Sequence, residues 1–217
     1  MGMYSLKAAA VAAVLGVAVA APAHAQTMDR WFVHAGPAFV QPVERTSMEA
    51  GGAAVPGADV KIKGRWTVEG EVGYFVTPNV AIGFAAGLPP TFKVQAAGSL
   101  TGLGTAGKIT GGPAALTVQY HFNREGRVQP YVGAGASFLV VFKTKDAVLT
   151  DVSAKSNIGT ALQAGADVMF TDHLGGFVDV KKAFVSTVAK GFLGPAPVRA
   201  KVLLDPIAAN AGITYHF

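Results

Sequence analysis

The chain has 217 residues, is 51% hydrophobic and 14% charged, and contains no cysteine. This excludes disulfide stapling, a thiolate nucleophile and a cysteine metal site, and a formal charge of only +5, with bases not interleaved with aromatics on one face, argues against a nucleic-acid partner. Beyond the first two dozen residues no uninterrupted apolar stretch is long enough for a membrane helix, so the apolar content points to a soluble β protein or a membrane barrel.

Residues 1–25 carry Lys7, an apolar run from Ala8 to Ala21, then Pro22 and the small-x-small sequence Ala23-His24-Ala25 ahead of Gln26. This reads as a secretory signal peptide. The run is shorter than the roughly 20 residues an anchoring helix needs. Cleavage leaves residues 26–217 as one domain, and because Lys7 is the only charged residue removed, the net charge falls from +5 to +4.

From Trp31 onward, alternating apolar segments flank three tight breaker clusters: Thr77-Pro78-Asn79, Asn123-Arg124-Glu125-Gly126-Arg127 and Thr171-Asp172-His173-Leu174-Gly175. Centred on 78, 125 and 173, they divide 31–217 into intervals of 47, 47, 48 and 44 residues, four hairpins in series. Longer connections with Gly, Lys and Asp separate them at Pro42 to Val60, Ala96 to Lys108, Lys143 to Ser156 and Gly191 to Val198. Short turns at one end and long loops at the other predict an eight-stranded antiparallel transmembrane β-barrel of the bacterial outer membrane, with both termini in the periplasm. Each strand has about 14 to 18 residues, more than the roughly 9–11 that cross the bilayer, so the strands are expected to project beyond the outer leaflet.

Strand parity assigns the faces. Trp66, Val68, Val72, Tyr74 and Val76 share the side opposite Glu69 and Glu71, and lipid does not accept two carboxylates. By the same rule Val80, Ile82 and Phe84, then Leu116, Val118, Tyr120 and Phe122, then Val132, Phe138 and Val140 face out. Ile158, Leu162, Val168 and Phe170 oppose Gln163 and Asp167, and Val178, Val180 and Phe184 oppose Asp179 and Lys181. Lys182 falls on the lipid face unless it snorkels or a bulge shifts the register. The chain closes on Ile213, Tyr215 and Phe217, an aromatic, apolar strand face. Tyr74, Tyr120, Phe122, Phe170, Tyr215 and Phe217 lie near short turns or the terminus, as a periplasmic aromatic girdle requires.

The inward set near the short turns is polar: His34, Glu69, Glu71, Gln119, His121, Gln163, Asp167, Asp179, Lys181, Asn210 and His216. Nearer the long loops it is apolar: Val40, Leu139, Val141, Val202 and Leu204. An eight-stranded barrel has an interior only wide enough for its side chains or one small ligand, so the polar set is expected to plug the lumen beneath an apolar pocket. A solute entering from the loops would then leave sideways through the wall. Proline removes a ladder donor, and Leu88, Pro89 and Pro90 mark the expected opening.

Five segments, Trp31-Phe32-Val33-His34-Ala35-Gly36-Pro37, Gly87-Leu88-Pro89-Pro90-Thr91-Phe92, Gly112 to Phe122, Gln129-Pro130-Tyr131-Val132-Gly133-Ala134-Gly135 and Asn210 to Phe217, together resemble the OmpW family, in order along residues 26–217. The resemblance implies an eight-stranded outer-membrane barrel whose narrow apolar lumen passes small hydrophobic molecules into the membrane. It also implies that Ile213, Tyr215 and Phe217 form the signal read by the barrel-assembly machinery.

Catalysis is not expected. Ser137 and Ser186 lie on strands while His34, His121, His173 and His216 cluster at the short-turn end, so no nucleophile has a base beside it. Two inward histidines, His121 and His216, without a matched third ligand do not specify a metal, and no cofactor is implied. Lys61, Lys63, Lys93, Lys143, Lys145, Lys155, Lys190, Arg199 and Lys201 gather toward the long loops, where phosphates of lipopolysaccharide are possible partners alongside outer-membrane lipid. Two functions follow: a passive conduit for small hydrophobic solutes, and a structural or surface-interaction barrel whose loops bind lipopolysaccharide or other external partners.

Overall fold

In the computed structural model residues 29–217 are described, and the expected signal segment 1–25 lies outside them. Alternating side chains and breaker clusters produce fourteen strands: β1 (Trp31–Gln41), β2 (Glu44–Ala50), β3 (Ala53–Ala54), β4 (Ala58–Ile62), β5 (Arg65–Phe75), β6 (Val80–Gly87), β7 (Thr91–Gly98), β8 (Thr105–His121), β9 (Val128–Asp146), β10 (Thr150–Ala154), β11 (Asn157–Met169), β12 (Leu174–Leu193), β13 (Ala196–Leu204) and β14 (Ile207–His216). Eight of them pair in the antiparallel order β1-β5-β6-β8-β9-β11-β12-β14. β14 returns to β1 with Ala35 opposite Ile213, closing the cylinder. The terminal Phe217 exchanges both backbone hydrogen bonds with Trp31 at 2.9 Å, so no barrel edge is left open there.

The three tight turns fall where the breaker clusters stand, and two share one device. The Thr77 hydroxyl accepts the Val80 N–H at 3.1 Å, and the Thr171 hydroxyl accepts that of Leu174 at 2.9 Å.

The long connections differ from the expectation of loops. Residues 42–60, 96–108, 143–156 and 191–198 are largely strand: β2 pairs β13, β4 pairs β7, β7 pairs β8, and β10 pairs β12. Charged outward residues mask the strand pattern in the sequence, but the backbone groups still need partners and find them in a ladder. Turn chemistry is confined to the tips, where Gly51, Gly52, Gly57, Gly98, Gly102, Gly104 and Gly194 have positive φ.

Along the walls the polarity of the two faces inverts. On β8 the outward side runs Tyr120, Val118, Leu116 and then Thr110 and Lys108, while the inward side runs His121, Gln119, Thr117 and then Ile109. The lower barrel is thus apolar outside and polar inside, and the projecting part is the reverse. The transition coincides with interruptions of five staves, at Pro42-Val43, Lys63-Gly64, Leu88-Pro89-Pro90, Lys155-Ser156 and Asp205-Pro206, and with a register shift at Thr110/Gly111.

Lys182 lies on the outer face in unbroken register, opposite Ile207. Its ammonium reaches the Asp205 carbonyl at one of these interruptions and lies 5.7 Å from the Phe184 ring centroid, so it snorkels.

Inward glycines make room for large lumen side chains. A Cβ at Gly73 would strike the Phe32 ring, and one at Gly165 would strike Tyr131. Gly73→Leu is therefore expected to block refolding in detergent, read as loss of the heat-sensitive shift in gel mobility. Ala134→Val, on the exposed outer wall, should leave that shift intact.

Candidate functional site: an apolar lumen above a polar plug

Residues two apart on a strand share a face, so β12 brings Asp179 and Lys181 into the lumen together, and β5 brings Glu69 and Glu71 opposite them. The Lys181 ammonium lies 2.6 Å from Asp179 and 3.0 Å from both Glu69 and Glu71. The Gln163 amide donates to Glu71 at 3.0 Å and to Asp179 at 2.9 Å, while its oxygen accepts the Thr117 hydroxyl at 2.9 Å. Gln119 also donates to Glu71, Asn210 donates to Glu69 at 2.7 Å, and the Tyr131 hydroxyl donates to Asp179 at 3.0 Å.

A second layer lies toward the short turns. Asp167 is gripped by His34 at 3.0 Å and His216 at 3.2 Å, and His121 contacts Gln119 at 3.2 Å. His34 stacks on Phe177 with centroids 4.4 Å apart, His121 stacks on Tyr131 at 4.8 Å, and Phe32 packs on Phe75 at 5.4 Å. The Arg124 guanidinium closes the base, 3.5 Å from the Phe75 centroid and donating to the Pro78 and Asp29 carbonyls. Every polar residue singled out in the lower lumen is buried, and they form two connected groups.

The aromatic base is a residue set that the sequence reading left out. Phe32, Phe75, Tyr131 and Phe177 are all buried. Their parity with His34, Glu71, Gly133 and Asp179 is the signal that places them inward.

Above the plug, small buried residues Ala38, Ala85, Ala115, Ala161, Ala183 and Ala208 form a collar around the lumen. A cavity of about 20 Å³ sits there against Glu69, Lys181 and Ser137. It adjoins an apolar cavity of about 60 Å³ lined by Val40, Phe92, Leu139, Val141 and Leu204, with Pro113 and Pro206 common to both. A further cavity of about 60 Å³ shares Ile62, Val94, Ile109 and Leu204 and adds Val202. The uppermost, of about 190 Å³, is walled by Met48, Val60, Leu100, Leu103, Leu149 and Val198. These cavities share walls from the long hairpins down to the plug. Ile62, Val94 and Ile109 escaped the sequence reading because their strands looked like loops or loop borders.

The wall beside the lowest apolar cavity is incomplete. The β6–β8 ladder stops at Ala86 opposite Ala114 and resumes between β7 and β8 at Thr91 opposite Thr110. Between them one backbone bond remains, from the Gly111 N–H to the Pro90 carbonyl at 3.2 Å. Pro89, Pro90 and Pro113 have no N–H to give, while the Leu88 N–H and carbonyl turn to Val68 and Thr67 on the other side. The Leu88 side chain is half exposed. A second seam, between β2 and β4, lacks a ladder and is bridged by the Glu44 carboxylate accepting the Ile62 N–H at 2.8 Å.

Removing one member of a buried ion cluster leaves the others uncompensated, at a cost of about 3–5 kcal/mol. Lys181→Met is expected to lose about that much stability in urea unfolding from lipid vesicles, since Glu69, Glu71 and Asp179 then face one another. Tyr131→Phe, which withdraws one hydrogen bond from Asp179, should cost about 1–3 kcal/mol.

Comparison with known proteins agrees with this architecture. Residues 29–217 match the model of the OmpW family. Outer membrane protein AlkL of Ectopseudomonas oleovorans is 33% identical over 174 residues, covering 80% of this chain and 76% of the relative. The dibenzothiophene metabolism operon protein PahQ of Pseudomonas aeruginosa is 33% identical over 166 residues, covering 76% and 78%. In structure, the outer membrane protein OprG from Pseudomonas aeruginosa superposes with a TM-score of 0.82 at 21% identity, over 87% of this chain and 96% of that one. The chain belongs to the OmpW family of outer-membrane β-barrel proteins.

Proposed function

We propose that the protein is a passive conduit that takes small hydrophobic solutes from outside the cell and releases them sideways into the outer membrane. The observation that carries this reading is the series of apolar cavities that starts among the long hairpins and ends on a sealed polar plug. A solute held by Val40, Leu139, Val141, Val202 and Leu204 loses contact with water, which favours entry by about 25 cal/mol per Å² of apolar surface removed.

Descent past the alanine collar would break the Lys181 network, whereas the interrupted ladder at Leu88, Pro89 and Pro90 has one backbone bond to yield. Lateral exit there is the route of lower cost. The name of PahQ ties one relative to an operon for dibenzothiophene, an apolar fused-ring compound of the class such a lumen would accept.

The orientation that serves this role puts the long hairpins outside and both termini in the periplasm. The leader-like residues 1–25 would direct export. Ile213, Tyr215 and Phe217, exposed on the outer face of the terminal strand, would be the segment offered to the barrel-assembly machinery.

Dibenzothiophene uptake into vesicles with lipopolysaccharide in the outer leaflet and albumin trapped inside tests the proposal. Folded wild-type protein is expected to speed uptake over protein-free vesicles, and Leu204→Glu, which charges the cavity wall, to abolish that gain. Undiminished uptake by folded Leu204→Glu would sink the conduit. Pro89→Val combined with Pro90→Val should slow uptake several-fold, and an unchanged rate would discard that exit.

A further inference from the structure

Outside the barrel, cross-strand register sets lysine against lysine. Lys93 of β7 stands opposite Lys108 of β8, which stands opposite Lys145 of β9. In the next row Thr91, Thr110 and Lys143 align, and Lys61 of β4 is opposite Gln95 of β7. Val94 and Ile109 line the lumen, so their neighbours Lys93 and Lys108 lie on the outer face. Directly opposed side chains have Cβ atoms about 4.5–5.5 Å apart, and like charges at that spacing are destabilising.

No direct ion pair offsets the repulsion. None of Lys61, Lys93, Lys108, Lys143 and Lys145 forms an ion pair among the described residues. The Asp146 and Asp59 carboxylates instead accept backbone donors: Asp146 the N–H groups of Asp151 and Val152 at 3.0 Å, and Asp59 that of Val60 at 2.8 Å. The other basic group on the wall is different, for there Arg199 opposes Glu49 as well as Lys190.

The height of the row identifies what it meets. Below it the outer face of β8 is apolar or small from Tyr120 to Gly112, and Thr110 and Lys108 follow. Ten residues from Tyr120 to Thr110, at about 3.3 Å each and tilted about 40°, rise roughly 25 Å, the height of the apolar band of an outer-membrane barrel. The lysines therefore begin where hydrocarbon ends and headgroups start.

We propose that Lys93, Lys108 and Lys145, flanked by Lys61 and Lys143, form a docking site for the phosphates of lipid A in the outer leaflet. Ammonium groups act as mobile point charges suited to phosphate, and lipid A presents two phosphates on one rigid disaccharide against a row of cations set at the strand repeat. The inference rests on the outward placement of the long hairpins but not on solute uptake, and binding is measured independently of uptake.

The test uses the folded protein in neutral detergent and follows its thermal unfolding with added lipid A, dephosphorylated lipid A, phosphatidylglycerol or inorganic phosphate. Lipid A is expected to raise the midpoint, and the other three at equal concentration to do so far less. In Lys93→Gln/Lys108→Gln/Lys145→Gln the apparent affinity for lipid A should fall on the order of a hundredfold. Without lipid A that variant should unfold no earlier than wild type, because the opposed charges are gone. Lys190→Gln/Arg199→Gln/Lys201→Gln should keep most of the lipid A response. Equal stabilisation of wild type by phosphatidylglycerol, inorganic phosphate or dephosphorylated lipid A overturns the proposal, as does a wild-type response from the first triple variant.

Discussion

Within hydrocarbon every backbone N–H and C=O must find its partner inside the protein, and the rest of this structure depends on that constraint. The ladder from β1 round to β14 and back meets it, with Phe217 tied to Trp31 at the seam. Once the cylinder is closed, strand parity leaves two environments. Val118, Phe170 and Val178 are exposed to lipid, and Glu71, Asp167 and Asp179 have only the axis to occupy.

Charge confined to the axis must be compensated there. Lys181 sits among three carboxylates, two glutamines and an asparagine knit the surrounding atoms, and Asp167 is held between two histidines. A buried network of this kind is rigid when satisfied and costly when a member is lost. It also divides the lumen, because a solute cannot pass without unpairing several of these groups at once.

Above the membrane band the outer face meets water, and the preference of each face reverses. Val60, Ile62, Val94 and Ile109 turn inward with Leu204 and leave apolar space, while Lys61, Lys93 and Lys108 turn outward. The apolar cavities and the lysine row are thus two sides of one inversion. The staves break where it happens, so a thinly paired stretch of wall, at Leu88 to Pro90, lies beside the lowest apolar cavity.

By itself the sequence determined the barrel, its eight staves and the tight turns, because a period-two pattern punctuated every 44 to 48 residues reports directly on which side of a strand each residue lies. Outer-wall residues such as Tyr120, Val132 and Phe184, and polar inward ones such as Glu71 and Gln163, were legible for that reason. Tertiary structure alone decided which carboxylates share Lys181, that Lys182 reaches the Asp205 carbonyl, and that the long connections are paired strands. It also decided which lysines oppose one another. These depend on register between segments distant in the chain, and register is set by barrel closure, which no local pattern encodes.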